Sequence, residues 1–354
     1  MAAIALPNSS VGGYNNIMNI IPIFLPHGGC KTRCTFCNEY VATGQYLLPG
    51  RDEIISTVKR YLSYFKNKED VQLAFYGGTF AGISNMKDFL LITRELYNSG
   101  MIKGFRVSTS PASITSETVR QLAEYPLTFV EMGVQSFNRN VLKACNRDHS
   151  LEKIYESAHI LREFRVPFGV HLMTGLPEDS EVEDLFSAIE TVRIGAVTAR
   201  IHPLVILKGS ALEESFNRGL FIPPSLDASV EILWKMFLLL EGGGVKVSRI
   251  GICLYGEQIE EVVAGPYHPA LGELVRNRIM LEVIRRFAET EGESNLVLHN
   301  SHKKDFVGHR RYIVNLASQE GLAIEFSRSG KLVDIGYYDR LIREKLLREV
   351  VCSS

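Results

Sequence analysis

The sequence predicts an α/β protein built on parallel strands, and three features carry that expectation. Apolar, β-prone runs alternate with helical spacing six times between Ile20 and Pro203, which is the pattern of β–α repeats joined by right-handed crossovers. Turns rich in glycine, proline or cysteine follow the strands, so they gather at the C-terminal rim of the sheet, where barrel enzymes do their chemistry. Beyond Gly209 the alternation stops, and the remainder reads as helices with a few short strands.

Taken in order, Ile20 to Pro26 is a continuous apolar run of the kind a strand buried on both faces requires. Asp52 to Phe65 has helical spacing, with Ile54, Ile55, Val58, Tyr61, Leu62 and Phe65 on one broad face. Val71 to Tyr76 is a strand ended by two glycines, and Met86 to Asn98 a helix. Phe105 to Thr109 is extended, and Thr115 caps a helix that runs to Tyr125. Thr128 to Gly133, Val166 to Met173 and Ala196 to Pro203 continue as strands, separated by helices over Leu151 to Phe164 and Glu181 to Ile194. Leu212 to Arg218 and Leu226 to Leu240 are helical, with the Pro223-Pro224 break between them. A rigid turn, Gly265 to Pro269, precedes a helix from Leu271 to Glu289. Short strands follow at Leu296 to Leu298 and Leu322 to Phe326. The expected organisation is a loose tail over residues 1–16, a barrel over 17–250 and a small α+β cap over 251–354.

Composition excludes several classes. A 45% hydrophobic content supplies a core, so disorder is not expected. With 39 basic and 40 acidic residues there is no global field to favour nucleic acid or membrane. The longest apolar run, Ile232 to Leu240, carries Lys235 and is too short to span a bilayer. The first sixteen residues lack the basic start and apolar core of an export signal. Six cysteines, three of them clustered, fit a reducing cytoplasm better than a disulfide scaffold.

Those three are Cys30, Cys34 and Cys37, in a loop that leaves the first strand. Three thiolates can hold three irons of a 4Fe–4S cube and leave the fourth iron without a protein ligand. The same trio could bind zinc, with His27 or a distant residue as fourth ligand. Cys145, Cys253 and Cys352 stand alone, so a buried or exposed free thiol is expected at each.

The C-x3-C-x2-C spacing, with Phe36 before the last cysteine, resembles the signature of the radical S-adenosylmethionine (radical SAM) enzymes. Phe75-Tyr76-Gly77-Gly78-Thr79-Phe80 resembles their Gly-Gly-Thr turn after the second strand, and Glu131 to Ser136 their Gly-Val-Gln-Ser stretch. Arg147-Asp148-His149 is similar to an Arg-Gly-His element, and Gly175-Leu176-Pro177 closes a fifth strand. Together these resemble the radical SAM domain of the Elongator catalytic subunit and oxygen-independent coproporphyrinogen oxidase. The Arg200 to Ser210 run leans toward Elongator.

The resemblance implies a partial (β/α)6 radical SAM barrel. It implies a 4Fe–4S cluster on Cys30, Cys34 and Cys37, and S-adenosylmethionine chelating the open iron. Reductive cleavage to a 5′-deoxyadenosyl radical would follow, fed by a reductant such as flavodoxin or ferredoxin. Gly77, Gly78 and Thr79 would approach the methionine ammonium, Gln135 would bind polar groups of SAM, and Arg147 its carboxylate. Two positions depart from the coproporphyrinogen oxidase pattern: Ser108 replaces a glutamate and His171 an aspartate, which weakens a porphyrinogen-type oxidase reading. Glu131 is expected to make a structural hydrogen bond or ion pair, and His171, on an apolar strand, to be a packed core histidine. A basic C-terminal stretch from His299 through Phe306 to His309-Arg310-Arg311 offers two readings, a grip on tRNA or a solvated helix face. Tyr267, His268, Arg276 and Arg278 would line the substrate mouth if the cap folds over the barrel. The leading expectation is a radical SAM enzyme acting on a nucleic-acid base, as in Elongator-like tRNA base modification, or on a related small metabolite. A small-molecule oxidase and a non-catalytic zinc or iron–sulfur module are the alternatives.

Overall fold

In a computed structural model, which describes residues 19–308 and 311–353, the expected strands lie side by side in chain order. They are β1 (Asn19–Phe24), β2 (Val71–Tyr76), β3 (Gly104–Thr109), β4 (Leu127–Gln135), β5 (Phe168–Thr174) and β6 (Thr198–Pro203). Every neighbouring pair is parallel. The short strand β7 (Ile206–Leu207) stands outside this sheet. A seventh member of the sheet, β8 (Lys246–Ile250), extends it beyond β6, again parallel. The sheet is thus a partial barrel of seven strands, with β1 and β8 at its edges. This seventh strand carries no apolar run in the sequence, because Lys246-Val247-Ser248-Arg249-Ile250 is a half-exposed edge strand rich in charge.

Alternation along the strands divides their side chains between two faces. Val107, Val130, Met132, Val170, Leu172, Ala199 and Ile201 are essentially inaccessible and form the main core beneath the outer helices. Phe75, Phe80, Phe89 and Phe105 interlock there, with ring centroids 4.7–6.5 Å apart. The alternate positions, Arg106, Ser108, Glu131, His171, Arg200 and His202, therefore occupy the concave face. Thr115 caps the helix Ser116–Ala123 as expected: its hydroxyl accepts the N–H of Thr118, whose own hydroxyl accepts the N–H of Thr115.

Beyond β7, β9 (Val262–Ala264) pairs with it antiparallel, and β10 (Asn295–His299) and β11 (Ala323–Ser327) form a separate parallel pair. Helices Leu271–Glu291 and Ile335–Ser353 pack on Leu226–Gly242, and the latter two rest on Glu181–Arg193. Their apolar residues, from Leu271 to Val350, are continuous with the core of the sheet. This C-terminal part lies along the barrel's flank. Arg278 shows it: its Nε donates to Glu231 at 2.5 Å, and its guanidinium lies 5.2 Å from the Trp234 ring. That residue clamps two flank helices, which corrects its expected place at the mouth. The expected tail, residues 1–16, lies outside the described residues, and so does the side chain of Cys352. No described helix is long and apolar enough to cross a membrane.

Candidate active site at the strand ends

The cysteine loop is laced to the turn after β2 by backbone hydrogen bonds. Leu25 N–H donates to Tyr76 O (2.7 Å), His27 N–H to Gly77 O (2.8 Å) and Thr79 N–H to Gly28 O (2.7 Å). This contact explains the glycines more directly than approach to a ligand does. A β-carbon on Gly78 would lie 2.7 Å from Leu25 O and 2.8 Å from Gly28 N, closer still to Gly28 O. Gly29 has φ +73°, and its own β-carbon would run into Thr79 O. Side-chain-free backbone on both partners lets the two turns lie against each other.

The sequence-predicted residues converge here. Cys30, Cys34 and Cys37 are all free thiols. Cys30 Sγ lies 3.4 Å from the Thr79 hydroxyl. Arg147 donates from Nη1 to Cys34 Sγ at 2.9 Å and from Nη2 to Gly133 O at 2.5 Å. Gly133 is in turn flanked by Gln135, where β4 slips its register against β5. Gln135 sits at φ +68°, a costly conformation for a side-chain-bearing residue, and its Oε1 is buried with no hydrogen-bond partner. The bulge re-aims that side chain.

Neighbouring protein atoms desolvate the thiol of Cys30 and raise its pKa even though that residue is exposed, and burial raises that of Cys37 well above normal, where the Glu39 carboxylate compounds it. Thiolates in such places need cationic partners, and iron bound to them would supply the charge. The buried Oε1 of Gln135, the Ser108 hydroxyl and Arg147 Nε, none with a protein partner, suit a polar ligand alongside. The donor set therefore fits an iron–sulfur cluster with a polar companion. It fits zinc with His27 less well. His27 Nε2 accepts the Glu39 N–H at 3.1 Å, and burial, then Arg33, lowers its pKa to about 4. Among the described residues no three His, Cys, Asp or Glu side chains gather around one ion. In a cube each corner iron takes its own thiolate, so the sulfurs need not share a point.

The Elongator-like run has a structural task. Asn38 Nδ2 donates to Lys208 O (2.6 Å) and Leu212 N–H to Thr35 O (2.9 Å), while Leu204, Ile206 and Leu212 form an apolar bed with Cys145 under Phe36. Cys145 is buried, its pKa pushed up to about 12 by that burial. Next to Arg147, burial opposes ionisation of Asp148, but hydrogen bonds from His149 and Ser110 hold its pKa at about 2.

On the concave face Glu131 is a hub. It accepts from Tyr76 Oη (2.8 Å), from His171 Nε2 (2.6 Å) and from Arg200 Nη2 (2.9 and 3.0 Å to its two oxygens), with Arg106 Nη1 at 3.4 Å. Burial disfavours its charge, yet His171, Arg200 and Tyr76 lower the pKa to about 2. The expected ion pair is there. His171, however, is no core histidine: Val170 and Leu172 take the apolar face, and it turns to the polar one. Tyr76, Arg106 and Arg200 escaped the sequence reading. Their only signal was a polar side chain at alternate positions of otherwise apolar strands.

The C-terminal basic stretch loses its stacking partner, because Phe306 is fully buried. His302 Nε2 accepts the Val333 N–H at 3.1 Å, so it braces the fold, while Lys303 and Lys304 are exposed. His309 and Arg310 lie outside the described residues. Of the remaining mouth candidates, His268 Nδ1 accepts the Ala270 N–H, Tyr267 Oη lies 3.4 Å from Leu254 O, and Arg276 is exposed on the helix Leu271–Glu291.

A partial parallel barrel, with three thiols and a Gly-Gly-Thr turn at its strand ends, defines a radical SAM protein. The chain belongs to the radical SAM superfamily: the superfamily model matches residues 24–189 and the radical SAM C-terminal domain model residues 197–280. Proteins of this family use a 4Fe–4S cluster and S-adenosylmethionine. Among curated relatives, Protein YhcC of Escherichia coli K12 is 26% identical over 215 residues, 54% of this chain and 66% of its own. A tRNA uridine(34) acetyltransferase of Methanocaldococcus infernus is 29% identical over 130 residues, 36% of this chain and 24% of its own. The archaeal Elp3 structure from the same organism shares the fold, with TM-score 0.59, 20% identity, and coverage of 78% of this chain and 63% of that one. The chain spans just under two thirds of YhcC and about a quarter of that acetyltransferase.

Proposed function

We propose that Cys30, Cys34 and Cys37 hold the 4Fe–4S cluster and that the chain is a radical SAM enzyme acting on a tRNA base. When bound, the cluster and SAM together supply reductive cleavage of SAM to a 5′-deoxyadenosyl radical, with flavodoxin or ferredoxin as the class of reductant. The protein's part is to bind, orient and exclude water. Arg147 donates to Cys34 Sγ, and its buried Nε remains to meet the SAM carboxylate. Thr79 and the Gly77-Gly78 backbone take the ammonium side, and Gln135 Oε1 accepts from a polar group of SAM. A reducing cytoplasm suits these thiols.

The observation that carries this reading is that Thr79, after β2, lies on Cys30 while Arg147, beyond β4, lies on Cys34 and on Gly133 beside Gln135. Anaerobic reconstitution tests it. Brown protein that forms 5′-deoxyadenosine with a reductant, and loses both properties on Cys34→Ala, supports the reading. Colourless protein holding one zinc overturns it. The tRNA assignment rests on the named relatives. An unchanged tRNA nucleoside profile, by mass spectrometry of a deletion strain, would remove it.

A further inference from the structure

We propose that the concave face takes an oxyanion of the substrate between Arg200, Arg249 and His202. The proposal deepens the reading above and rests on it. Register aligns the residues across the sheet: Ser108 with Glu131, His171 with Arg200, and Arg200 with Arg249. Cationic charge exceeds anionic charge in this row. Glu131 already answers to Arg106, Arg200 and His171 with both oxygens. Arg249 lies beside Arg200 in register, and the partner its side chain reaches is the Cys253 thiol, whose pKa it helps to lower, leaving the rest of its fork for a ligand. Arg200 is half-buried and Arg249 exposed; like charges on neighbouring strands repel each other, and an anion between them offsets that cost.

The donors for such an anion are present. Arg200 uses Nη2 alone for Glu131 and the Tyr76 hydroxyl, which leaves its other edge for a ligand. His202 stacks on His171 at 6.2 Å, and its Nε2 is buried without a partner. Burial first, then the neighbouring His171, Arg200 and Arg249, lower the His202 pKa to about 3. It is therefore a neutral ring that can donate one N–H without adding to the repulsion. Two forked guanidinium groups and an imidazole N–H match the oxygens of a phosphate or a carboxylate. A nucleotide phosphate and a small organic acid share that chemistry.

Isothermal titration of the anaerobic, SAM-loaded holoprotein with inorganic phosphate, acetate, uridine and uridine 5′-monophosphate tests the site. Arg249 is exposed, so Arg249→Gln should fold. At least one anion should bind, uridine should not, and Arg249→Gln should weaken the anion about tenfold or more, with Arg249→Lys in between. Phosphate without acetate would identify a phosphate source, and acetate without phosphate a carboxylate source. No anion binding, equal affinity in Arg249→Gln, or uridine bound as tightly as its monophosphate overturns the proposal. SAM cleavage by the same wild-type preparation is scored separately. Cleavage without anion binding ends this inference alone, and anion binding without cleavage ends the radical SAM reading alone.

Discussion

Replacing Gly78 with alanine should unseat the cysteine loop while leaving the barrel folded. The added methyl would stand 2.7 Å from Leu25 O and 2.8 Å from Gly28 N, and neither is the movable end of a side chain. Overpacking of this kind costs ~1–3 kcal/mol. If the loop lifts to escape it, the Thr79 N–H to Gly28 O bond is also lost, for about 1 kcal/mol more. A total of roughly 2–4 kcal/mol moves the balance between seated and lifted loop by about 30- to 1,000-fold, since ~1.4 kcal/mol is a factor of ten. The assay is iron and sulfide per chain after anaerobic reconstitution, with circular dichroism to show that the fold persists. Gly78→Ala should retain well under half of the wild-type iron. Gly272→Ala is the control, because the nearest atom to its new β-carbon is 3.9 Å away, in a helix where alanine is the better residue. If Gly78→Ala takes up a full complement of iron with unchanged thermal stability, the close-approach reasoning is wrong.

Glu131→Gln should destabilise the protein by ~3–5 kcal/mol in denaturant titration, because Arg106 and Arg200 lose their counter-charge in a buried place. The carboxyl is depressed from 4.5 to about 2, so its contribution is complete above pH 4.5 and is lost as pH falls toward 2. The gap between variant and wild type should narrow over that window, and a gap that is flat with pH would count against the network. Asp179 has the opposite sign. Burial raises it from 3.8 to about 6 beside Asp184, so ionising it destabilises the fold as pH rises through that range. Asp179→Asn should melt higher than wild type above pH 6, by up to ~3 kcal/mol at roughly 1.4 kcal/mol per unit. The two should converge near pH 4, and equal melting at pH 7.5 would contradict this. Cys145→Ala should keep its iron, because that thiol packs under Phe36 and bonds to Thr35, away from the ligand role. Iron loss there as complete as in Cys34→Ala would place Cys145 among the ligands.

The elements that sequence located best were those with one apolar face or an apolar run throughout. Val71–Tyr76 and Met86–Asn98 have the bounds their patterns predict, and Thr115 caps its helix as expected. The edge strand Lys246–Ile250 was invisible, because among the described residues it pairs with β6 alone and most of its side chains are exposed. The same rule governs the site. Cysteine spacing is local, so Cys30, Cys34 and Cys37 could be read from the chain. The Glu131 hub could not, because its partners Tyr76, His171 and Arg200 come from three other strands.

By itself the sequence determined the α/β class, the order of the strands and the thiol trio, because apolar period and short-range spacing are properties of neighbours along the chain. Tertiary structure alone decided that Gly78 must lack a side chain, that Arg147 rests on Cys34, that the C-terminal helices lie along the flank, and that Arg200 and Arg249 stand side by side. Those facts depend on register and close approach between segments far apart in the chain, which no local pattern encodes.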